Sequence, residues 1–228
     1  PARVRSALAA IFRHNFASPL RDLVNPCRVF GLNDESGLVI CSWPEGRRRP
    51  VIPVPYAQEA MHGFEYAAAA LMISRGLLDE GLRVVAGVRE RYDGRVRNPW
   101  NEIECGSNYA RSMASYALLP ILGGFSFDLT EGRIGFAPRP GMPVPFRTFW
   151  CAGGAWGLFE LGAARAELRV LGGGLTLSRL TLPGLSAGAV ARLGGRPVAL
   201  RADADGLSFA PSLEMAADTE TVLLEIDL

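Results

Sequence analysis

Apolar residues in the first half of the chain recur every three to four positions, which predicts α-helices. A first amphipathic helix is indicated by four residues near the N-terminus: Val4, Leu8, Ile11 and Phe12. A second helix is expected from about Tyr56 to Arg75, with Gly76 as its C-cap. A third helix is expected to begin at Asp79.

A fourth helix is expected from about Tyr109 to Leu122, with Ser107 or Asn108 as its N-cap and Gly123-Gly124 as its end. Pro120 fits such a helix only near its end, and the alternative is a helix that stops earlier. Within the second helix, the run 67–70 consists of four alanines and leaves almost no polar side. A helix that is apolar nearly all round is buried on more than one side. We therefore expect further helices to cover it.

From Phe125 the apolar period changes to two, which predicts β-strands. The alternating sets are Phe125/Phe127/Leu129, Leu168/Val170, Leu175/Leu177, Leu180/Leu182 and Val222/Leu224/Ile226. Gly172-Gly173-Gly174 and Gly194-Gly195 are expected to be turns between strands. The predicted class is α+β, with helices over 1–123 and an antiparallel, sandwich-like β module over 124–228.

The composition is that of a globular protein, with 228 residues, 49% apolar and 21% charged, and a net charge of +1. So small a charge gives no electrostatic reason to expect nucleic acid or an anionic membrane as a partner. Arg47-Arg48-Arg49 is expected to lie in a solvated loop. The longest apolar runs are too short for a transmembrane segment. The chain does not begin with Met, and we expect a fragment or a processed product. The compartment is left open, with the cytoplasm slightly favoured.

Four cysteines are present, and their spacing is not that of a metal site: Cys27, Cys41, Cys105 and Cys151. Buried free thiols are expected, although disulfide pairing is unreadable from a sequence. His14 and His62 have no partner motif, so a structural role is expected for both. No metal and no organic cofactor are predicted.

The segment 97–113 combines two acids, two arginines, a tryptophan, a tyrosine and amides. Core packing alone does not require this mixture. A sugar does, because its C–H groups pack on aromatic faces and its hydroxyls need charged or amide partners. Glu102 and Glu104 are two apart, and their spacing does not decide between acid/base catalysis and hydroxyl recognition.

The run Asn98-Pro99-Trp100-Asn101-Glu102-Ile103-Glu104-Cys105-Gly106 with Tyr109-Ala110-Arg111 resembles a signature of glycoside hydrolase family 116, the non-lysosomal glucosylceramidases and β-glucosidases. Two upstream blocks, 53–66 and 89–94, match the same family in the same order. The resemblance covers roughly residues 1–140. It implies the C-terminal third of an (α/α)6 toroid, a retaining mechanism and catalytic carboxylates that lie upstream, so no catalytic residue is expected in this chain.

The resemblance also implies substrate-binding roles for Glu102, Arg111 and Glu59. A carboxylate fixes vicinal hydroxyls, and a guanidinium beside it keeps it ionised. The alternatives are a structural ion pair for Arg111 and a helix-dipole role for Glu59. Trp100 and Tyr109 either stack on the sugar or plug the end of the toroid.

Four residues differ from the family pattern: Met61 replaces a common tryptophan, His62 a threonine, and Ser107-Asn108 an Asp-His pair. These differences leave open whether the glucose specificity and the lipid substrate of the family apply to this chain. Farther along, Phe149-Trp150 and 154–157 form an aromatic cluster, for which a sandwich core is expected and a second carbohydrate platform is the alternative.

The sequence therefore predicts the C-terminal portion of a retaining β-glycosidase that acts on a β-linked glucoside. Its partner is expected to be the N-terminal segment of the same enzyme, and the chain alone is expected to be inactive. The alternatives are a non-catalytic carbohydrate-binding protein and a purely structural domain.

Overall fold

The computed structural model describes residues 2–23, 25, 28–43, 46–52, 54, 56–100, 109–185, 188–217 and 222–228. The chain forms two compact units, 1–118 and 119–228, of which the first is mainly helical and the second mainly β. The α+β class is thereby confirmed, while the assignment of the helices to a toroid stays a prediction. Over the described residues, no helix has the length and apolar character needed to cross a bilayer.

The described part of the helical unit contains α1 (Ala2–Asn15), β1 (Phe16–Ala17), a 3-10 helix (Leu20–Asp22), β2 (Gly37–Leu38), α2 (His62–Ser74), α3 (Leu78–Arg91) and a second 3-10 helix (Arg111–Ala117). β1 and β2 pair antiparallel, with Phe16 opposite Leu38. α2 packs against α3 and against the second 3-10 helix. The buried side chains of this core are Leu8, Leu38, Ala69, Met72, Leu77 and Val84.

The second helix begins later than predicted, at His62 instead of about Tyr56. Tyr56 and Gln58 have φ angles of 62° and 55°, and this left-handed conformation is incompatible with a right-handed helix. At the other end, Gly76 adopts φ 77° and its N–H donates to the carbonyl of Ile73, which ends the helix as predicted.

One side of α2 is exposed, although the sequence predicts burial on more than one side. Ala69, Met72 and Ile73 are buried, whereas Phe64 and Leu71 are 58% and 52% exposed. Ala67 lies on the exposed side as well. That further helices cover this side stays a prediction.

The single fourth helix expected from Tyr109 to Leu122 is wrong. Arg111–Ala117 is a 3-10 helix, and α4 covers only Leu118–Gly123. Pro120 accounts for the division, because its ring clashes with the carbonyl four residues earlier in a continuous α-helix. In the first turn of α4, by contrast, no N–H is required of it. The expected N-caps Ser107 and Asn108 lie outside the described residues.

The β unit contains ten strands in its described residues: β3 (Ser126–Asp128), β4 (Arg133–Gly135), β5 (Phe146–Ala152), β6 (Ala155–Leu161), β7 (Arg165–Thr181), β8 (Val190–Leu193), β9 (Arg196–Pro197), β10 (Leu200–Asp203), β11 (Gly206–Ala217) and β12 (Val222–Asp227). The first half of β7 pairs with β6 and β12, and its second half with β11 and β4. Among the described strand pairs of this unit, β4–β7 is parallel and the others are antiparallel, as the sequence predicts.

Gly172-Gly173-Gly174 is not the predicted turn, because all three glycines lie inside β7. Gly173 has φ 73°, and a Cβ on it would lie 1.8 Å from the carbonyl oxygen of Gly154. The glycines thus let one long strand change from one set of partners to the other. Gly194-Gly195 is the predicted turn, and it joins β8 to β9.

Both sets of strands contribute to one core. Its largest members include Trp150 and the stacked rings of Phe136 and Phe159, whose centroids are 3.8 Å apart. The predicted inward positions of β7 are all buried: Leu168, Val170, Leu175, Leu177 and Leu180. At the start of the module the alternation fails, since Phe127 and Leu129 are exposed.

The expectation of buried thiols is wrong for Cys151, which lies on the exposed side of β5. Cys41 is partly buried, and both thiols are free. Cys27 and Cys105 lie outside the described residues. Arg47-Arg48-Arg49 is exposed, as predicted.

Candidate functional site

Arg111 begins the second 3-10 helix, which lies against the N-terminal turn of α2. The close approach depends on Gly63, where a Cβ would lie 2.7 Å from the Cβ of Arg111. The guanidinium is 4.4 Å from the centre of the Tyr109 ring and 5.9 Å from that of Phe64. Its Nη1 is 3.7 Å from the sulfur of Met61. The site therefore contains a cation held between aromatic faces and a thioether.

A groove of about 550 Å³ opens beside this cation. Its lining consists of Ile11, Asn15, Leu38, Val39, Ile40, Tyr56, Met61, Phe64, Ala68 and Arg111. Among these described residues Arg111 is the charged member and Asn15 the amide. A largely apolar groove with a few polar groups at defined points is typical of small-molecule sites.

Glu59 is 2% exposed and does not line the groove. Its Oε2 accepts the backbone N–H of Val29 at 2.7 Å, and its Oε1 accepts those of Phe30 at 3.2 Å and Ala60 at 2.9 Å. Burial lowers the pKa of the neighbouring Arg28 guanidinium, and the Glu59 carboxylate opposes that shift. The carboxylate thus joins the loop around residue 30 to the start of α2.

The loop before α2 combines strain with burial. Tyr56 and Gln58 have positive φ, which costs roughly 1–2 kcal/mol at each non-glycine residue. Tyr56 lines the groove, and its ring stacks on Phe30 at a centroid distance of 6.4 Å. Strained backbone of this kind is concentrated at ligand sites, and it motivates a functional hypothesis for the loop.

Of the five residues predicted to bind substrate, the structure brings Arg111 and Tyr109 into contact. Trp100 is 71% exposed, and its carbonyl accepts the hydroxyl of Ser112 at 3.0 Å. Glu102 lies outside the described residues, as does Glu104. The structure adds two groove residues that the sequence analysis did not select, Tyr56 and Phe64. Both belong to the matched block 53–66, which was the available signal.

His62 lies directly beside the site, at the first position of α2. Its ring is 4.6 Å from that of Tyr92 and 6.5 Å from that of Tyr66, in edge-to-face geometry. Burial lowers its pKa to about 4, and the positive charges of Arg91 and Arg111 add to the shift. His62 is therefore neutral at pH 7. In the described residues, no cluster of His, Cys, Asp and Glu could hold a metal ion.

No protein-family model matches the chain, and no curated protein matches it. Among solved structures, α-L-rhamnosidase from Dictyoglumus thermophilum is 12% identical, with a TM-score of 0.39, over 72% of this chain and 21% of that enzyme. A GH127 β-arabinofuranosidase is 11% identical, with a TM-score of 0.33, over 71% of this chain and 31% of that one.

The chain thus spans less than a third of either enzyme. Both are glycoside hydrolases by name, and neither is named as a member of family 116.

Proposed function

We propose that this chain is the C-terminal portion of a retaining β-glycosidase that acts on β-glucosides. In this proposal it supplies sugar-binding residues, and the nucleophile and the acid/base group come from the upstream part of the same enzyme. The observation that carries the proposal is the Arg111 guanidinium against Tyr109 at the edge of the groove. Aromatic faces take the C–H surface of a sugar, and the guanidinium donates to its hydroxyls.

In this proposal Arg111 and Glu102 contact the outer hydroxyls, and Tyr109 and Trp100 supply aromatic faces. Such contacts act on the rate by positioning the substrate and by strengthening as the transition state forms. The hydrogen bonds of Glu59 to backbone N–H groups indicate a structural role instead of a direct sugar contact. It holds the strained loop that carries Tyr56 into the groove lining, and it affects the sugar through that loop.

The experiment that tests the proposal is Glu102→Gln in the complete enzyme, assayed with an aryl β-glucoside. The catalytic efficiency should fall at least tenfold, because an amide accepts hydroxyl hydrogen bonds less strongly than a carboxylate does. Glu131→Gln, at an exposed carboxylate of the β unit outside the matched blocks, is the control and should be neutral. Wild-type turnover in Glu102→Gln would contradict the proposal. Sugar affinity without turnover in the complete wild-type protein would instead support a non-catalytic binding protein.

The upstream segment also has a proposed contact surface, the exposed side of α2 that carries Phe64, Ala67 and Leu71. Apolar side chains in a row on one helix side mark a contact region. The variant Leu71→Lys should reduce self-association of the 228-residue chain in sedimentation experiments. In the complete enzyme the same variant should lower the melting temperature, because it would bury a charge. Leu82→Lys, at an exposed position of α3, is the control and should change neither. A neutral Leu71→Lys in the complete enzyme would contradict this contact.

A further inference from the structure

The outer side of β5 and β6 carries two exposed aromatic rings. Phe149 is 45% exposed and Trp156 is 46% exposed, and their ring centroids are 6.5 Å apart. Both residues point away from the core, because the neighbouring positions Trp150 and Ala155 are buried. From the sequence, this cluster is expected to be the core of the module, with a second carbohydrate platform as the alternative. Trp150 belongs to the core, while Phe149 and Trp156 do not.

The indole of Trp156 packs against the backbone of β7 at Gly172. Trp156 pairs with Gly172, and a Cβ on that glycine would lie 2.5 Å from Nε1 and 2.8 Å from Cε2 of the indole. Glycine is therefore the residue that leaves room for the ring at this position. Because one side of the indole rests on the backbone, the other side is presented to solvent.

Charged side chains in opposite-sign pairs flank the rings. Arg147 donates to Glu160 through two hydrogen bonds of 2.8 and 3.2 Å, across β5 and β6. Arg169 donates to Glu167 at 2.6 and 3.2 Å on the adjacent β7. Arg147, Glu160 and Arg169 also line a depression of about 220 Å³ next to Leu158. Since the charges are paired, the surface has no net sign that would attract an ionic ligand.

We infer that this surface, defined by Phe149 and Trp156 with the ion pairs Arg147–Glu160 and Arg169–Glu167, binds a neutral chain of β-linked hexopyranoses whose hydroxyls are equatorial. We call it the β5–β6 platform. Such sugars present flat C–H faces, which pack on an exposed aromatic ring, and a rim of hydroxyls at the level of the ion pairs. The platform shares no residue with the Arg111 groove and needs no catalytic group, so it goes beyond the proposed function.

A protein partner fits the same surface less well. Phe149, Trp156 and Leu158, each about half exposed, offer on the order of 300 Å² of apolar surface. A stable protein interface buries about 800 Å² of total surface on each partner, of which roughly 450 Å² is apolar. The apolar area of the platform is smaller than that, and it suits a few sugar rings better than a second copy of the chain.

The test is affinity electrophoresis of the complete 228-residue chain in gels that contain hydroxyethyl cellulose, with calorimetric titration by cellohexaose. The wild-type chain should be retarded, and Trp156→Ala should weaken the affinity for cellohexaose at least tenfold, because it removes the largest apolar contact area of the platform. Trp156→Phe should retain part of the affinity, because it keeps a ring over Gly172. Phe127→Ala removes another exposed aromatic of the same unit and should bind like wild type. Arg201→Ala removes an exposed cation on β10, outside both the platform and the groove, and should also bind like wild type.

A second variant keeps the test independent of the stability of Trp156→Ala. Glu160→Ala leaves both rings in place and removes a hydroxyl acceptor, and its affinity for cellohexaose should fall severalfold. The inference is overturned if the wild-type chain does not bind cellohexaose at millimolar concentration. It is also overturned if Trp156→Ala binds normally, or if the rings prove to mediate self-association that Trp156→Ala abolishes.

Discussion

Glu65 and Arg91 form an ion pair in which neither side chain is exposed to solvent. Glu65 also accepts the backbone N–H of Leu38 at 2.8 Å, and Arg91 donates to the carbonyls of Ser36 and Gly87. Burial raises the pKa of the Glu65 carboxyl, and the charge of Arg91 and the Leu38 N–H oppose that rise. The pair thus joins α2, α3 and the segment at β2 through groups that depend on each other.

Removal of one partner of this pair should lower the free energy of unfolding more than removal of both. Glu65→Leu leaves the Arg91 charge buried and uncompensated, and it should cost about 3–5 kcal/mol of unfolding free energy. The double variant Glu65→Leu/Arg91→Met should recover part of that loss, because it buries no charge but leaves the Leu38 N–H and the Ser36 carbonyl without their side-chain partners. Equilibrium urea denaturation of the chain at low concentration measures both effects. Arg192→Ala, in the exposed pair with Asp227, is the control and should change stability by less than about 1 kcal/mol. Equal losses in the single and double variants would contradict this account.

The helical part of the fold was predictable where local patterns determine it. The apolar spacing of α1 and α3 and the glycine that ends α2 are signals within one or two turns of chain. The start of α2 was not predictable in this way. Tyr56 and Gln58 adopt positive φ without being glycine or asparagine, so no local residue preference marks the end of the loop.

The remaining errors come from contacts between distant parts of the chain. Gly172-Gly173-Gly174 has the composition of a turn, but its glycines are required because the Trp156 indole and the Gly154 carbonyl approach β7. Glu59 has the sequence context of a site residue, and the backbone groups that bind it lie about thirty residues earlier. Such partners are fixed by tertiary structure, which a motif does not encode.

His62 should make the stability of the helical unit depend on pH. Its pKa is about 4 in the folded chain, against 6.5 for a free histidine, so the unfolded chain takes up the proton first as pH falls. The contribution of neutral His62 to stability is therefore complete above about pH 6.5 and is lost progressively towards about pH 4. His62→Gln should flatten this part of the stability profile, measured by urea denaturation. The other histidine, the exposed His14, is the control, and His14→Gln should keep the slope. The same slope in His62→Gln would exclude His62 as its cause.

Glu59 should behave as a structural carboxylate. Glu59→Gln replaces one acceptor oxygen by an NH2 group, which faces the N–H donors of the 29–30 loop and leaves at least one of them unpaired. The loss of unfolding free energy should be about 1–3 kcal/mol. Glu35→Gln, at a more exposed carboxylate that accepts the N–H of Leu32 and pairs with Arg97, is the comparison and should lose less. If Glu59→Gln has wild-type stability but impairs sugar turnover in the complete enzyme, the structural role is contradicted and Glu59 contacts the substrate directly.

Arg111 should be sensitive even to a substitution that keeps its charge. The variant Arg111→Lys retains the positive charge but loses the planar guanidinium that stacks on Tyr109 and can donate two parallel hydrogen bonds. The catalytic efficiency of the complete enzyme on an aryl β-glucoside should fall at least tenfold. Tyr109→Phe keeps the aromatic ring, so its catalytic efficiency should fall less than that of Tyr109→Ala. Arg75→Lys, at the exposed C-terminal end of α2, should be neutral.

The melting temperature separates this role of Arg111 from that of a structural ion pair. The side chain is only partly buried, so loss of a substrate contact should leave the melting temperature of Arg111→Lys within about two degrees of wild type. A structural pair would instead lower stability and activity together, and partial unfolding would then account for the lost rate. If Arg111→Lys has normal catalytic efficiency, or if its melting temperature falls together with its efficiency, the substrate-binding role of Arg111 is contradicted. A fall in efficiency at constant stability would support them, and a rise in KM alone would mean that the guanidinium binds ground state and transition state equally.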